Sequence, residues 1–289
     1  MLLLIGTIIG LVLGLTGAGG SVFAVPLLML MAGMPMADAV GISLGAVAAS
    51  TLYGSLRNMK QKQTTPLLWQ PGVILAAAGA ISAPAGKWLG LQLDERWLLI
   101  GFTLLAGTIA VRMWISSNRN PAAASVVRAG NFANTPAPDL LCRLSQTGQF
   151  ELRPRCVSGL LIGGLIVGLL SGLFGVGGGF LIVPLLLALS AVSMTQAVST
   201  SLLIIALISS SGFISHLLMG SNQLVMDGNQ QVADHSSQLI TLGLVAAGGV
   251  VGMIIGQKVS HKIANPLLQK IFAISLIAVC VITLVRNLL

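Results

Sequence analysis

The chain has 289 residues, of which 55% are hydrophobic and only 8% charged, and its mean hydropathy is +0.95. Soluble domains carry roughly 25% charged residues, so a water-soluble globule is excluded, and so is intrinsic disorder, which needs low hydrophobicity. The net charge of +8 comes from 15 Lys and Arg against 7 Asp and Glu. These cations sit in a few short loops between apolar runs, as membrane insertion favours. Nucleic acid would need a basic stripe with polar or aromatic partners, so no nucleic-acid partner is expected.

No Asp, Glu, Lys or Arg occurs in residues 1–37 or 156–226. A helical span needs about 20 apolar residues. In chain order, the sequence first predicts two short apolar pieces, Leu2–Leu15 and Val22–Met31, joined by a glycine cluster. Full-length spans follow at Val40–Leu56, Leu67–Trp88 and Trp97–Ile115. After a polar connection come two more short pieces, Leu160–Leu173 and Phe180–Leu189, again joined by glycines. Spans at Ala197–Leu218, Leu239–Val259 and Leu267–Val285 complete the chain. At about 1.5 Å rise per residue the short pieces cross only about half to two thirds of the hydrocarbon. Each pair therefore reads as a re-entrant helical hairpin.

The second half repeats the first. Gly10-Leu-Val-Leu-Gly-Leu-Thr-Gly-Ala-Gly-Gly20 aligns with Gly168-Leu-Leu-Ser-Gly-Leu-Phe-Gly-Val-Gly-Gly178 at an offset of 158. Val25-Pro26-Leu27-Leu28 matches Val183-Pro184-Leu185-Leu186, and Ala39–Leu44 matches Ala197–Leu202. Later the offset becomes 170, with Gly79 and Gly86 matching Gly249 and Gly256, because the second half carries about 12 extra residues near Ser221–Gln238. The recurrence of the N-terminal pattern inside the chain, with no basic region before it, argues against a signal peptide.

Loop charge sets the expected orientation. Arg57, Lys60 and Lys62, the Arg-rich connection Ser116–Arg155, and Lys258, Lys262 and Lys270 are expected in the cytoplasm. Asp94, Glu95, Arg96, Asp227 and Asp234 are expected outside. Each half then makes three full crossings, which inverts the second half and places both termini outside. The expected fold is an all-α polytopic membrane protein of two inverted repeats, each a short re-entrant helical hairpin plus three transmembrane helices, the plan of many secondary transporters. Residues 1–115 form the N-terminal membrane repeat, 116–155 a cytoplasmic linker and 156–289 the C-terminal membrane repeat.

Candidate binding residues lie at the two breaks, Gly17, Gly19, Gly20 and Ser21 in the first half and Gly175, Gly177, Gly178 and Gly179 in the second. Irregular backbone at membrane depth must be buried in protein or line a wet cavity. Each cluster precedes a short helix, so free N–H groups and a positive helix end would face the break, which suits an anion. Close helix packing is the other reading. It is the one assigned to Gly79, Gly86, Gly249, Gly252 and Gly256, with Gly252→Ala expected to be tolerated. No lysine follows either cluster, as a phosphate-binding loop would require.

Ser43, Thr200 and Ser201, at matching repeat positions, either bond an anion or bond the carbonyl one turn back. Ser209, Ser210, Ser211, Ser50 and Thr51 read as core packing. Asp38 suits a helix N-terminus, His216 reads as interfacial, and Lys87 and Arg112 can snorkel. Cys142, Cys156 and Cys280 form no CxxC pair and read as free thiols. With no catalytic constellation, no metal-ligand spacing and no cofactor motif, neither an enzyme nor a cofactor is expected.

The paired motifs Gly-Leu-Thr-Gly-Ala-Gly-Gly…Val-Pro-Leu-Leu and Gly-Leu-Phe-Gly-Val-Gly-Gly-Gly…Val-Pro-Leu-Leu resemble those of the TauE/SafE sulfite exporter family, as does Ala-Val-Ser-Thr-Ser-Leu. The resemblance covers nearly the whole chain outside the linker and the Ser221–Gln238 loop. It departs from the doubled pattern at Ser21, where the second half has Gly179. It implies a multi-pass protein of the cell inner membrane that exports small anions such as sulfite, sulfonates or related organic anions. The implied partners are a small anionic substrate and the lipid bilayer, with a coupling ion (proton or sodium) and a homo-oligomer also open. An anion channel and a membrane-embedded enzyme or maturation factor are the alternative readings.

Overall fold

The computed structural model describes residues 1–16, 20–60, 69–119, 143–144, 150–151, 154–189, 194–223 and 232–260, with a few positions between 274 and 282. The expected last span, Leu267–Val285, lies almost wholly outside the described residues, as do Gly17, Gly19 and most of the linker.

The first half consists of α1 (Leu2–Thr16), a 3-10 turn (Gly20–Phe23), α2 (Ala24–Ala32), α3 (Met36–Lys60), α4 (Trp69–Gln92) and α5 (Glu95–Arg119). The second half consists of α6 (Pro154–Phe174), α7 (Gly179–Leu189), α8 (Met194–Gln223) and α9 (Val232–Ser260). In the connection outside the membrane repeats, β1 (Arg143–Leu144) pairs antiparallel with β2 (Phe150–Glu151), and the fold is all-α as expected.

Local chemistry explains the boundaries. Gly33, in the left-handed region at φ 65°, ends α2, and Pro35 follows it, the usual way to stop a helix. Pro154 opens α6, where its missing N–H costs nothing. Because α6 begins there, ahead of the apolar run, it is 21 residues long, enough to cross a membrane. The expectation of a half-length piece at Leu160–Leu173 is corrected accordingly: Arg155 and the polar positions near it extend the helix instead of ending it. α1 and α7 remain short, at 15 and 11 residues.

Five described helices are long and apolar enough to span a bilayer, and the fold is that of a multi-pass membrane protein. Its outer surface is apolar, with Ile81 75%, Leu218 63% and Ile162 59% exposed. Trp69 and Trp88 stand exposed near the two ends of α4. Nineteen residues of helix separate them by roughly 28 Å, close to the ≈ 30 Å hydrocarbon thickness.

Packing follows the repeat. α1 packs along α9, and its repeat equivalent α6 packs along α4, which is the equivalent of α9. A Cβ added at Gly6, Gly10 or Gly14 would strike the backbone of Val245, Gly249 and Met253. The equivalents Gly164, Gly168 and Gly172 would strike Leu75, Gly79 and Ala83. These are the same contacts at offsets 158 and 170. In both pairs the numbering rises together, so the packed helices run in the same direction. α3 and α8 meet with opposite running order, Gly41 against His216 and Gly45 against Phe213.

Glycine contact also corrects one expectation. A Cβ at Gly252 would run into the Thr7 carbonyl and approach the Leu11 nitrogen at 2.7 Å. The packing role assigned to Gly252 stands, but the tolerance of alanine there does not, because the neighbour is backbone and has no freedom to move aside. Cys156, buried at the start of α6, is disulfide-bonded. The expectation of a free thiol is therefore corrected, and the other two cysteines lie outside the described residues.

Candidate functional site

The second break is the better described of the two. α6 ends with the Gly175 N–H donating to the Ser171 carbonyl at 2.9 Å. Gly175, Gly177 and Gly178 then take φ values of 70°, 67° and 69°, where a Cβ is strained by about 1–3 kcal/mol. α7 restarts with Leu181 and Ile182 N–H groups donating to the Gly178 carbonyl at 3.0 and 3.1 Å. The break thus lies at the positive end of an 11-residue helix.

Three serine hydroxyls border the two breaks, each fully or almost fully buried and without a hydrogen-bond partner: Ser21, Ser171 and Ser209. Ser209 Oγ lies 2.8 Å from where a Gly177 Cβ would sit, and Ser171 Cβ 3.7 Å from that of Gly178. Ser21 belongs to the 3-10 turn of the first break, and that turn packs against α7. Burying a hydroxyl without a partner costs about 1–3 kcal/mol, and native structures rarely carry such groups without a use. The Ser209 hydroxyl is next to a place where only glycine fits.

The other predicted residues fall into different roles. Ser43 Oγ donates to the Gly175 carbonyl at 2.8 Å across 132 residues. It therefore ties α3 to the break. Ser201 bonds the Val198 carbonyl at 2.8 Å, the local bond expected of a membrane serine. Thr200 is fully buried, and its methyl faces Gly72. Gly20 folds the 3-10 turn onto α1, with no room for a Cβ beside Leu13.

Ser50, Thr51 and Ser210 bond carbonyls of their own helices, which fits core packing. Ser211 has a distinct task. Pro84 has no N–H to offer the Ala80 carbonyl, and Ser211 Oγ donates to that carbonyl at 2.6 Å. Ser209 and Ser171 were not singled out as site residues by the sequence. The available signal was the three-serine run 209–211 on a helix that can satisfy only some of its hydroxyls locally.

A groove of about 460 Å³ between α4 and α8 is lined by Pro84, Leu207, Ser210, Ser211, Ile214 and Leu218 among others. Leu207, Ile214 and Leu218 are exposed on the apolar outer face, so this groove faces lipid. The orphaned hydroxyls lie in the interior instead, at the breaks.

The family described as "Sulfite exporter TauE/SafE" matches residues 2–283. A "Probable membrane transporter protein" of Xylella fastidiosa is 29% identical over 283 residues, covering 98% of this chain and 93% of the relative. "Probable membrane transporter protein YunE" of Bacillus subtilis is 25% identical over 276 residues, covering 91% and 90%. A relative with the same kind of name in Methanocaldococcus jannaschii is 24% identical, covering 95% and 92%. No solved structure matches the chain. With its multi-pass helical fold, two glycine breaks and a match over nearly its whole length, the chain belongs to the TauE/SafE family and is a membrane transporter.

Proposed function

We propose that this transporter is a secondary carrier that exports small anions, with sulfite, sulfonates and related organic anions as its substrate class, and that the two hairpin tips form its binding site. The observation that carries this reading is the set of buried, unpartnered hydroxyls of Ser21, Ser171 and Ser209 beside the breaks. With the positive end of α7 they supply neutral donors in a low-dielectric setting. A small oxyanion offers several acceptor oxygens and no donor when ionised, so it satisfies such groups without a fixed cation.

The reciprocal packing of α1 on α9 and α6 on α4, with α3 and α8 opposed, supports two repeats inverted in the bilayer, an arrangement suited to alternating access. The family's printed name supplies sulfite as the first anion to try. The reading requires no catalytic step.

Counterflow in proteoliposomes tests the carrier reading. Vesicles preloaded with unlabelled sulfite or sulfonate should transiently accumulate the labelled anion above equilibrium. Equilibration without overshoot would mark a channel, and no flux of any anion in a panel including carboxylates would remove the proposal.

A further inference from the structure

Charged side chains inside membrane helices are costly and call for a reason. Lys87 lies within a turn of the boundary marked by the exposed Trp88, yet it is only 4% exposed. Its Nζ does not snorkel to water, as the sequence reading allowed, but donates to the Ala37 carbonyl at 3.4 Å. Asp38 follows Ala37 in the chain and stands one turn before Gly41 on α3. The His216 ring lies against Gly41 so closely that a Cβ there would overlap Nε2.

An acid from α3, an amine from α4 and an imidazole from α8 therefore meet beside the second break. The Lys87 backbone nitrogen packs on Gly172, and Val40 packs on Gly175.

The surrounding elements add little charge. α4 and α8 carry no ionisable group besides Lys87 and His216, and α6 has only Arg155 and Cys156, at its far end. Tyr53, Arg57 and Lys60 lie toward the opposite end of α3. Asp94 and Arg96, beyond the end of α4, are exposed. Glu95, and Asp234 and His235 at the start of α9, have side chains outside the described set.

The repeat shows that packing alone does not demand these charges. Offsets of 158 and 170 pair Asp38 with Gln196, Lys87 with Gln257 and His216 with Asn58. The correspondence is structural as well: Gly172 faces the backbone nitrogen of Lys87, and its equivalent Gly14 faces that of Gln257. One of the two equivalent positions draws neutral amides from both halves, while the other draws an acid, an amine and an imidazole.

We infer that Asp38, Lys87 and His216 form a proton-binding site that couples proton movement to anion transport. The inference rests on the transporter reading above and adds its coupling ion. The Asp38–Lys87 pair is neutral overall. One further proton, on His216 or Asp38, makes the cluster singly positive next to the hairpin tip. A monoanion at the tip is then offset, and anion and proton move together without net charge, in whichever direction their summed gradients point.

The test measures exchange and pH-gradient-driven accumulation in the same proteoliposomes, with radiolabelled sulfite and methanesulfonate as probes. The sulfonate holds no titratable proton near neutral pH, so any gradient effect on it belongs to the protein. The double variant Asp38→Gln/Lys87→Gln copies the neutral pair of the other half and should fold. Both it and His216→Gln should retain exchange within severalfold of wild type while gradient-driven accumulation falls by an order of magnitude. Accumulation that survives in both variants overturns the inference. A wild-type protein that exchanges these anions but ignores the pH gradient also overturns it, and leaves the carrier reading standing. Failure of exchange by wild type strikes the carrier reading itself.

Discussion

Replacing Ser209 by alanine should move stability and function in opposite directions. The hydroxyl is fully buried, has no hydrogen-bond partner and sits 2.8 Å from the position of a Gly177 Cβ. In the empty protein it is a cost of about 1–3 kcal/mol. Alanine removes that cost and leaves a void of one oxygen, so Ser209→Ala should raise the melting temperature of the purified protein by a few degrees. The same change deletes a donor to the bound anion, worth about 1.5–3 kcal/mol for a hydrogen bond to a charged group, a roughly ten- to hundredfold loss of apparent affinity.

Ser210→Ala is the matched control. Its hydroxyl bonds the Ala206 carbonyl of its own helix at 2.6 Å, and its removal should change stability and affinity little. Thermal unfolding in detergent and substrate titration of counterflow read the two effects separately. A Ser209→Ala protein that melts lower, or that transports with unchanged affinity, would refute the reasoning, because the hydroxyl would then be structural or idle.

Gly178→Val should abolish transport in a protein that still inserts and stays monodisperse, because φ is 69° and its Cβ would meet Val167; normal transport would end the hairpin-tip site. Gly252→Ala and Gly168→Ala should each destabilise by about 1–3 kcal/mol, since both press a methyl onto a neighbouring helix backbone, and equal melting curves would contradict the close crossing. Gly107→Ala and Gly243→Ala, where nothing lies within 4 Å, should fall within about ±0.5 kcal/mol of wild type. Cysteine labelling should place Arg57 and Lys262 on one face of the membrane and Asp94 on the other; Arg57 and Lys262 on opposite faces would break the inverted-repeat scheme. Mass mapping under non-reducing conditions should show Cys156 in a disulfide.

Much of this was legible in the sequence because the bilayer imposes strict rules. Apolar run length gave α3, α4, α8 and α9 to within a turn or two, because an unsatisfied backbone in lipid is too costly to permit other solutions. The packing role read for Gly79 and Gly249 takes the form of contacts with Gly168 and Gly10, because a helix crossing with no room for a side chain admits only one residue. The start of α6 at Pro154 was missed because hydropathy marks where a segment is apolar, not where hydrogen bonding begins. Lys87 was misread because snorkelling depends on which way a side chain faces, and that direction is fixed by α3 and α8. Which of three adjacent serines lacks a partner depends on where Pro84 leaves a carbonyl open and where Gly177 crosses, relations between distant segments that no local pattern carries.

Equilibrium binding of a panel of radiolabelled sulfite, sulfonates and carboxylates to the purified protein tests the hairpin-tip site most directly. At least one sulfur oxyanion should bind saturably to wild type, weakly or not at all to Ser209→Ala and Gly178→Val, and normally to Ser210→Ala. Undiminished saturable binding to both tip variants would contradict the placement of the anion between the two breaks.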